Sequence, residues 1–360
     1  MSRQIRIGIV GVGNIAEKHV PGYLAIPMRV KIVAVADVIP AVAEAKAKDW
    51  QVPMWFDDLQ ALLGQEDIDA VDLCLPHDIH VSSVQQAAAA GKHIYIEKPL
   101  GRTAQECRKI IESVEKRGVC LMVGHNLLFN PLVQKASELV KGGYIGPVFM
   151  IRAASYGWPG FRPGNYRLDK ERSGGGVLID TGVHMVYTMR ELVGEAQAVS
   201  AMMHRALRDE MEGEDNAILN IEYASGVIGE LVASYSAKLA SWQLGFPAGW
   251  DQRVEVYGSD GTLKLDLVQG SLELHSEKRP PVPELADWRV GEKTPAHTTR
   301  YHLPSVYFDS FKGAVQSFVD SLLTGSPPPV TALDGYRVAQ VVDAAYESAR
   351  TGRTVLIDSA

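Results

Sequence analysis

The sequence predicts two domains: an α/β domain built on a doubly wound parallel sheet, followed by an α+β domain built on a large, mostly antiparallel sheet. In the first third of the chain, segments typical of strands and helices alternate without a break, which indicates βαβ units with right-handed crossovers. From about Phe149, strand-like segments follow one another and only two helices interrupt them. A chain of 360 residues is longer than one ordinary hydrophobic core accommodates. We therefore place two domains at residues 1–124 and 125–360.

Short apolar runs bounded by turn residues predict the strands of the first domain. These strands are Arg6–Val10, Lys31–Ala36, Ala70–Leu75, His93–Glu97 and Val119–Val123. The helical segments between them are Ala41–Lys48, Asp57–Leu63, Ile79–Ala90 and Ala104–Arg117. Ligands of such sheets bind beyond the carboxyl ends of the strands, so the residues that follow each strand are the first candidates for a site.

The turn after the first strand carries the glycine pattern of a dinucleotide-binding (Rossmann) domain. It reads Gly11-Val12-Gly13-Asn14-Ile15-Ala16, which is G-x-G-x-x-A. The first glycine permits the tight turn, the second leaves room for a pyrophosphate, and the alanine lets the helix pack on the strand. The second strand ends in Asp37, whose carboxylate accepts the ribose hydroxyls of NAD and repels the 2′-phosphate of NADP. The pattern predicts NAD rather than NADP; a glycine turn beside a solvated aspartate is the alternative.

The second domain is predicted to consist mainly of strands. The predicted strands are Val148–Tyr156, Ala198–Arg205, Ala217–Tyr223, Val227–Ser236, Arg253–Tyr257, Thr262–Leu267, Ser271–His275 and Thr354–Ile357. The predicted helices are Leu178–Val193, Ser305–Leu323 and Ala332–Arg350. Between Glu277 and Leu303 the chain is rich in proline and its apolar residues recur with no regular spacing, so we expect a surface excursion there.

The composition excludes several classes of protein. Hydrophobic residues make up 46% of the chain and charged residues 22%, which is typical of a soluble globular protein. A net charge of −7 without runs of basic residues predicts that the protein has no nucleic-acid partner. No apolar stretch is long enough to predict a membrane-spanning helix. Three widely spaced cysteines, Cys74, Cys107 and Cys120, predict reduced thiols in a cytoplasmic protein and no metal centre. The first strand begins so early that we expect no signal sequence.

The fourth strand leads into Glu97-Lys98-Pro99. A lysine at the carboxyl end of a sheet strand lies at the mouth of a ligand cleft, where partial burial can prepare its amine for proton transfer. Lys98 is therefore a catalytic candidate. The alternative is that Lys98 pairs with Glu97 or with a phosphate group.

A second catalytic candidate is the segment in which Gly174-Gly175-Gly176 leads into a helix. The helix is predicted to place Asp180 and His184, four residues apart, on one face. A carboxylate beside an imidazole fixes its tautomer and raises its basicity, which suits a general base. The alternative is a carboxylate at a helix N-terminus and a histidine in the core. Metal binding by the pair is not expected, because no third ligand is close in sequence.

The loop that follows the strand Val148–Tyr156 interleaves aromatic and basic residues with glycine and proline. Aromatic rings stack on sugar rings and arginines pair with hydroxyl groups, so we predict that this loop contacts the substrate. Aromatic anchors at a subunit interface are an equal alternative. The candidate residues are Tyr156, Trp158, Arg162, Tyr166 and Arg167.

Together these motifs resemble the Gfo/Idh/MocA family, which includes glucose–fructose oxidoreductase and inositol dehydrogenase. The resemblance extends over nearly the whole chain. It includes the Gly11–Ala16 turn, Pro76 with His80, Glu97-Lys98-Pro99, Gly174–Gly176 with Asp180 and His184, Tyr257–Gly261, and Tyr346–Gly352. It implies an NAD-dependent oxidoreductase that transfers hydride between nicotinamide and a secondary hydroxyl of a sugar, inositol, polyol or sugar derivative.

The resemblance also implies the role of each site residue. Lys98, Asp180 and His184 would surround the substrate carbinol, with His184 exchanging the hydroxyl proton and the other two positioning the substrate oxygens. The implied cofactor-binding residues are Gly11, Gly13, Asn14, Ile15, Asp37, Leu75, Pro76, His80, Glu97, Lys98 and Asn126.

Three positions depart from the family pattern. Tyr187 stands three residues after His184, where many members have an acid, and His77 replaces an asparagine. The pair Leu127-Leu128 replaces a segment in which arginine is common. These positions would lie around the substrate or the nicotinamide, so Tyr187 joins the substrate candidates. We expect a less polar polyol, a sugar derivative or a glycoside rather than a typical inositol or hexose.

Two functional alternatives stay open at this point. Some relatives cleave glycosides while bound NAD is transiently reduced, and a non-catalytic NAD-binding sensor would keep the fold without turnover. The resemblance further implies a homodimer or homotetramer through the exposed face of the second domain's sheet. Strands such as Ala217–Tyr223 are partly apolar on both faces, which agrees with such an interface. The segment Trp242–Trp250 could serve this interface or the substrate mouth.

Overall fold

The computed structural model describes residues 4–239, 249–277, 289–290, 298–302 and 306–358. The chain divides into two compact units, Met1–Asn126 with Phe311–Ala339, and Leu127–Ser310 with Gln340–Ala360. The first unit thus includes a C-terminal segment that we assigned to the second domain. The domain limits at residues 124 and 125 stay a prediction.

Within the described residues, the first unit contains a sheet of six parallel strands. They are β1 (Ile5–Val10), β2 (Val30–Ala36), β3 (Met54–Phe56), β4 (Ala70–Leu73), β5 (His93–Glu97) and β6 (Leu121–Gly124). Their order across the sheet is β3-β2-β1-β4-β5-β6, the doubly wound order of dinucleotide-binding domains. The predicted fold class of this domain is confirmed. Strand β3 escaped the sequence analysis because it is only three residues long.

Helices cover both faces of this sheet, so its strands are apolar on both sides. The helices are α1 (Ala16–Leu24), α2 (Pro40–Asp49), α3 (Leu59–Leu63), α4 (His80–Ala89) and α5 (Ala104–Arg117). The side chain of Thr103 begins α5 by accepting the N–H of Glu106, and Gly118 ends it with a left-handed φ of +64°. These caps explain why the predicted and observed limits of α5 coincide.

In the described part of the second unit, ten strands form one sheet in the order β14-β15-β13-β12-β11-β7-β10-β9-β8-β16. The strands are β7 (Val148–Tyr156), β8 (Ala196–His204), β9 (Asn216–Tyr223), β10 (Ile228–Ser234), β11 (Asp251–Gly258), β12 (Gly261–Asp266), β13 (Ser271–Ser276), β14 (Arg289–Val290), β15 (Thr298–His302) and β16 (Val355–Leu356). Strands β7 and β10 are parallel and the other neighbours are antiparallel. The prediction of a mostly antiparallel sheet is confirmed.

The remaining helices are α6 (Pro131–Lys141), α7 (Lys170–Ser173), α8 (Val183–Val193), α9 (Val306–Thr324) and α10 (Ala332–Thr351). The part of α9 after Phe311 packs on α1 and β5. Gln316 Nε2 donates to the carbonyl oxygen of Gly22 at 3.2 Å, and the Phe318 ring lies 5.7 Å from that of Tyr95. The sequence indicates such a helix but not which sheet it covers, so this segment could not be assigned from sequence alone. No helix among the described residues is long and apolar enough to cross a membrane.

Part of the predicted surface excursion returns to the sheet. Strand β15 pairs with β13, and its Tyr301 lies opposite Leu272 in the core. The expectation of an irregular excursion was therefore wrong for Thr298–His302, where alternate side chains are buried. Residues 278–288, 291–297 and 303–305 lie outside the described residues, and so do residues 242–248 of the segment Trp242–Trp250.

Candidate active site

The glycine turn of the first unit lies where the strand order reverses, between β1 and β4. Gly11 has a φ of +83°, and a Cβ there would overlap the carbonyl oxygen of Cys74. A Cβ at Gly13 would instead meet nothing within 4 Å. No side chain caps α1 at Ile15, and Asn14 before it is exposed, so the start of the helix is open to phosphate oxygens. The residues present therefore fit the pyrophosphate of a dinucleotide.

Asp37 lies at the end of β2, beside the glycine turn. Its Oδ2 accepts the N–H of Val12 at 3.1 Å, and its Oδ1 accepts the N–H of Ile39 at 3.0 Å. The carboxylate is thus fixed where an acid binds ribose hydroxyls and disfavours a 2′-phosphate. The residue that follows is Val38, which is 85% exposed and carries no charge to attract that phosphate. This arrangement supports NAD over NADP.

His80 connects the turns that follow β4 and β5. Its buried ring places Nε2 3.0 Å from the carbonyl oxygen of Leu75 and Nδ1 2.9 Å from that of Pro99. Burial lowers the pKa of His80, and this effect outweighs the backbone carbonyl groups of Leu75 and Pro99, which raise it. His80 therefore braces the turn that contains Leu75 and Pro76. A direct contact between His80 and the cofactor stays a prediction.

The carboxyl ends of β5 and β6 bring Glu97, Lys98 and Asn126 to one edge of the sheet. Glu97 lies opposite Gly124, where a Cβ would be only 2.8 Å from Glu97 Oε1. Lys98 is 9% exposed and Asn126 is 1% exposed, far less than is usual for polar side chains. Buried polar groups at such an edge can orient a ligand. Lys98 accordingly remains a catalytic candidate.

The sequence analysis missed a histidine of the first unit. His19 of α1 has Nδ1 2.9 Å from Asp72 Oδ2 and Nε2 3.2 Å from Glu97 Oε1. All three side chains are buried. The available signal was Asp72 itself, because an acid inside an otherwise apolar strand requires a buried partner.

In the second unit, the glycine run leads into a π-helical turn over Leu178–Gly182, and α8 begins after it. We predicted one helix over Leu178–Val193, so this part of the prediction was wrong in detail. The carboxylate of Glu214 accepts the N–H groups of Gly176 and Leu178 at 3.0 Å each, and a Cβ at Gly176 would overlap the Glu214 backbone. This clamp fixes the start of the helix, and π-helical turns are frequent at functional sites.

Asp180 lies in this turn, where a guanidinium and a phenol hold its carboxylate. Both oxygens are 3.0 Å from Arg167 Nε, and the Tyr235 hydroxyl donates to Oδ2 at 2.6 Å. Burial lowers the pKa of Arg167, but Asp180 raises it by more, so the guanidinium stays charged. Burial and Asp180 both raise the pKa of Tyr235, which keeps the phenol protonated as a donor. His184 lies half-buried in the first turn of α8, and its pairing with Asp180 stays a prediction.

Tyr235 is a second residue that the sequence analysis missed. It lies 55 residues from Asp180 in sequence, and its hydroxyl is also 2.6 Å from Thr181 Oγ1. The residue falls in the predicted strand Val227–Ser236, where a tyrosine is an ordinary core residue. No local pattern could therefore connect it with Asp180.

The predicted substrate loop is divided between two environments. Arg167 holds Asp180, and its guanidinium lies 4.6 Å from the ring centre of Tyr166. Trp158 lies instead beneath the guanidinium of Arg208 at 4.7 Å and the ammonium of Lys238 at 4.6 Å. Of the other candidates, Arg162 is exposed, Tyr156 is half-buried at the end of β7, and Tyr187 is buried in α8. Substrate contact by any of these residues stays a prediction.

Comparison with known proteins places this arrangement in a family. A model of the NAD-binding Rossmann fold of an oxidoreductase family matches residues 5–125, and a model of the C-terminal alpha/beta domain of the same family matches residues 137–357. The chain belongs to the Gfo/Idh/MocA family. The predicted resemblance and the predicted NAD-binding domain are thereby confirmed.

Several Gfo/Idh/MocA relatives match along almost their whole length. The scyllo-inositol 2-dehydrogenase (NAD(+)) of Bacillus subtilis is 26% identical over 363 residues, which cover 99% of this chain and 98% of that protein. The inositol 2-dehydrogenase of Rhizobium meliloti is 27% identical over 357 residues, which cover 98% of this chain and 99% of that protein. A solved levoglucosan dehydrogenase, in complex with NADH and levoglucosan, shares the fold with a TM-score of 0.86. It is 24% identical, and the match covers 99% of this chain and all of that one.

Proposed function

We propose that this chain is an NAD-dependent oxidoreductase that transfers hydride between nicotinamide and a secondary hydroxyl or ketone of a sugar, an inositol, another polyol or a sugar derivative. The observation that carries the proposal is the turn at the strand reversal, where Gly11, Gly13 and Asp37 fit a dinucleotide in a member of the Gfo/Idh/MocA family. Relatives named as inositol dehydrogenases support the substrate class.

The proposed chemistry gives each of three residues one role. NAD, when bound, supplies the ring carbon that accepts or returns the hydride. His184 takes the proton of the substrate hydroxyl during oxidation and returns it to the carbonyl oxygen during reduction. Lys98 and Asp180 position the substrate oxygens, and Arg167 and Tyr235 fix the carboxylate of Asp180 for this task.

Removing either proposed catalytic side chain tests these roles. Lys98→Ala and His184→Ala are each expected to lower turnover by about 10²–10⁴-fold, the usual contribution of a positioned acid–base group. His184 is not among the implied cofactor-binding residues, so in His184→Ala the Kd for NAD should change by less than about threefold, as for interactions used only in the transition state. Absorbance of reduced nicotinamide with a panel of inositols, sugars and polyols measures turnover. A fluorescence titration measures NAD binding.

Lys116→Ala and His302→Ala are matched controls, because both side chains are exposed and lie outside the proposed site. These variants should keep the wild-type rate. Unchanged rates in both Lys98→Ala and His184→Ala would contradict the roles. A wild-type chain that binds NAD but reduces it with no compound of the panel would contradict the proposed reaction.

We further propose a homodimer or homotetramer in which a second copy covers the open face of the second unit's sheet. Met202 of β8 lies opposite Ile218 of β9, and these side chains are 79% and 46% exposed. On β10, Ile228 is 59% exposed and lies opposite Met150 of β7. Apolar rows on an open sheet face are typical of protein interfaces, and this is the face through which the family resemblance implies association.

A charge placed in the apolar row tests this interface. Ile218→Lys is expected to shift the molar mass in solution, measured by light scattering, from two or four chains toward one. The reason is that a lysine desolvated in an apolar interface is unfavourable. Met28→Lys is the control, since Met28 is 81% exposed in the first unit. A wild-type chain that sediments as a monomer at all concentrations would contradict the proposal.

We also propose a cytoplasmic location. The support is that Cys74, Cys107 and Cys120 are all free thiols in the described structure, which is usual in a reducing compartment.

A further inference from the structure

A buried chain of charged side chains connects α1, β4 and β5 in the first unit. His19 places one ring nitrogen against Asp72 and the other against Glu97, at 2.9 and 3.2 Å. His19 and Asp72 are 0% exposed, and Glu97 is 6% exposed. The hydroxyl of Tyr23 donates to Asp72 Oδ2 at 3.0 Å, and the Cys74 thiol lies 3.3 Å from Asp72 Oδ1. Three of these side chains, His19, Tyr23 and Cys74, therefore contact Asp72.

An imidazolium at His19 offsets one of the two negative charges of Asp72 and Glu97. Two buried carboxylates without a cation would be very unfavourable, whereas an imidazolium has one N–H for each of them. Burial lowers the pKa of His19, but Asp72 and Cys74 raise it by more, so that it lies well above its ordinary value. The groups that face the His19 ring are Asp72 of β4, Cys74 directly after that strand, Tyr95 and Glu97 of β5, and the uncharged ring of Phe311 in α9. The hydroxyl of Tyr23 in α1 donates to the same Asp72 carboxylate.

Glu97 is fixed on both sides by this arrangement. Its Oε1 meets His19, and the same oxygen lies close to Gly124 of β6, which has no room for a larger side chain. Lys98 follows Glu97 directly along the chain. The position of the Lys98 backbone is therefore tied to a carboxylate that His19 holds in place.

We propose that His19, as an imidazolium between Asp72 and Glu97, is a positioning residue that fixes the carboxyl end of β5 and, through it, Lys98. The proposal rests on the proposed function, which makes Lys98 part of the catalytic machinery. His19 does not itself contact the substrate in this assignment. Its effect is transmitted through Glu97 and the adjoining backbone.

The first test does not depend on a substrate. Histidine-selective ¹⁵N NMR of the full chain, with His19→Gln for assignment, should show His19 as an imidazolium at about pH 7.5, above the ordinary histidine pKa. Asp72→Asn keeps the shape of the side chain and should move the His19 titration to lower pH, because it removes a neighbouring negative charge. A neutral His19 in the wild-type chain, or a titration that Asp72→Asn leaves unchanged, would overturn the proposal.

The second test follows Lys98 directly. His19→Gln should change the rate at which an acetylating reagent modifies Lys98, read by mass spectrometry, by at least about threefold, because amine reactivity follows local environment. His93→Gln is the matched control, since His93 lies at the opposite end of β5 and its Nδ1 accepts the N–H of Cys120. Equal Lys98 reactivity in wild type and His19→Gln would overturn the proposal. If His19→Gln does not fold, Asp72→Asn takes its place in this comparison.

Turnover adds a third measurement that separates the two proposals. With an active wild-type chain, His19→Gln should lower kcat by about 10–100-fold, as expected when a catalytic group is misplaced, whereas His93→Gln should not. A wild-type kcat in His19→Gln would overturn the positioning role. If the wild-type chain itself has no turnover, the proposed function fails while the NMR and labelling results still decide the role of His19. The described His19, Asp72 and Cys74 donor atoms lie within 4.8 Å of one another, so a stoichiometric metal ion found by elemental analysis would also overturn the proposal.

Discussion

Each of the two units holds a carboxylate with a basic side chain and a tyrosine, but the basic side chains differ. In the first unit, His19 lies between Asp72 and Glu97, and Tyr23 donates to Asp72. In the second unit, Arg167 and Tyr235 hold Asp180. A protonated histidine can lose its proton as the pH rises, whereas an arginine stays charged. The cluster in the first unit can therefore respond to pH through its basic side chain, and the cluster in the second unit cannot.

The difference follows from burial and from the number of donors. An imidazolium has two N–H groups, and the closed pocket around His19 offers one carboxylate to each. A guanidinium has five N–H donors, which a fully closed pocket can rarely satisfy. The Arg167 side chain is 31% exposed, so solvent can reach the donors that Asp180 does not use. The choice of cation thus matches the degree of burial.

The largest effect on stability and turnover in this comparison is expected from substitution of Arg167, which stays charged at all physiological pH values. Arg167→Gln would remove the guanidinium from the carboxylate of Asp180, which is 10% exposed. Breaking a buried pair costs about 3–5 kcal/mol, and because Arg167 is partly exposed we expect about 1–3 kcal/mol in the free energy of unfolding. We also expect turnover to fall by about 10–100-fold, because Asp180 is then displaced. Urea unfolding and the nicotinamide absorbance assay measure the two effects.

Arg253→Gln is the matched control for this substitution. Its Nε lies 2.8 Å from Asp251 Oδ1 in the same unit, but its side chain is 59% exposed. Loss of such an exposed pair should cost less than about 1 kcal/mol and leave turnover unchanged. An Arg167→Gln chain that behaves like Arg253→Gln would contradict the role of Arg167 in holding Asp180.

The fold was predictable wherever the local sequence shows a regular spacing of apolar residues or a recognisable turn motif. The apolar run and glycine turn at Gly11, the capped helix α5 and the alternating strand β9 each contain their own signal. The exceptions depend on distant residues. Strand β15 forms because Tyr301 is buried against β13, and α9 joins the first unit because it packs on Gly22 and Tyr95. A local pattern cannot specify a partner that is tens or hundreds of residues away.

The sequence reveals the motifs of the candidate site but not the residues that hold those motifs in place. Lys98, Asp180 and His184 stand out because glycine and proline mark the turns around them. His19 and Tyr235 do not stand out, since a histidine or a tyrosine at an apolar position is usually an ordinary core residue. Their roles follow from what they touch, Glu97 and Asp180, and these contacts exist only in the folded chain.

The smaller effect, and the sharpest contrast, is the pH dependence of stability. Because burial lowers the pKa of His19 but Asp72 raises it well above its ordinary value, the folded chain keeps a proton that the unfolded chain loses. The stabilisation by His19 is therefore fully present below about pH 6.5 and is lost as the pH rises through the folded pKa. In that window, one proton corresponds to a slope of about 1.4 kcal/mol per pH unit.

Urea unfolding between about pH 6.5 and pH 8 measures this change of unfolding free energy with pH. The upper limit lies below the ordinary cysteine pKa, so that thiol ionisation does not contribute. The difference in unfolding free energy between wild type and His19→Gln should shrink as the pH rises, since only the wild type loses a stabilising proton. The difference between wild type and Arg167→Gln should stay constant, because the pKa of Arg167 is lowered by burial but raised by more by Asp180 and lies above the whole window. Parallel curves for both variants would show that the His19 and Arg167 clusters do not differ in their response to pH.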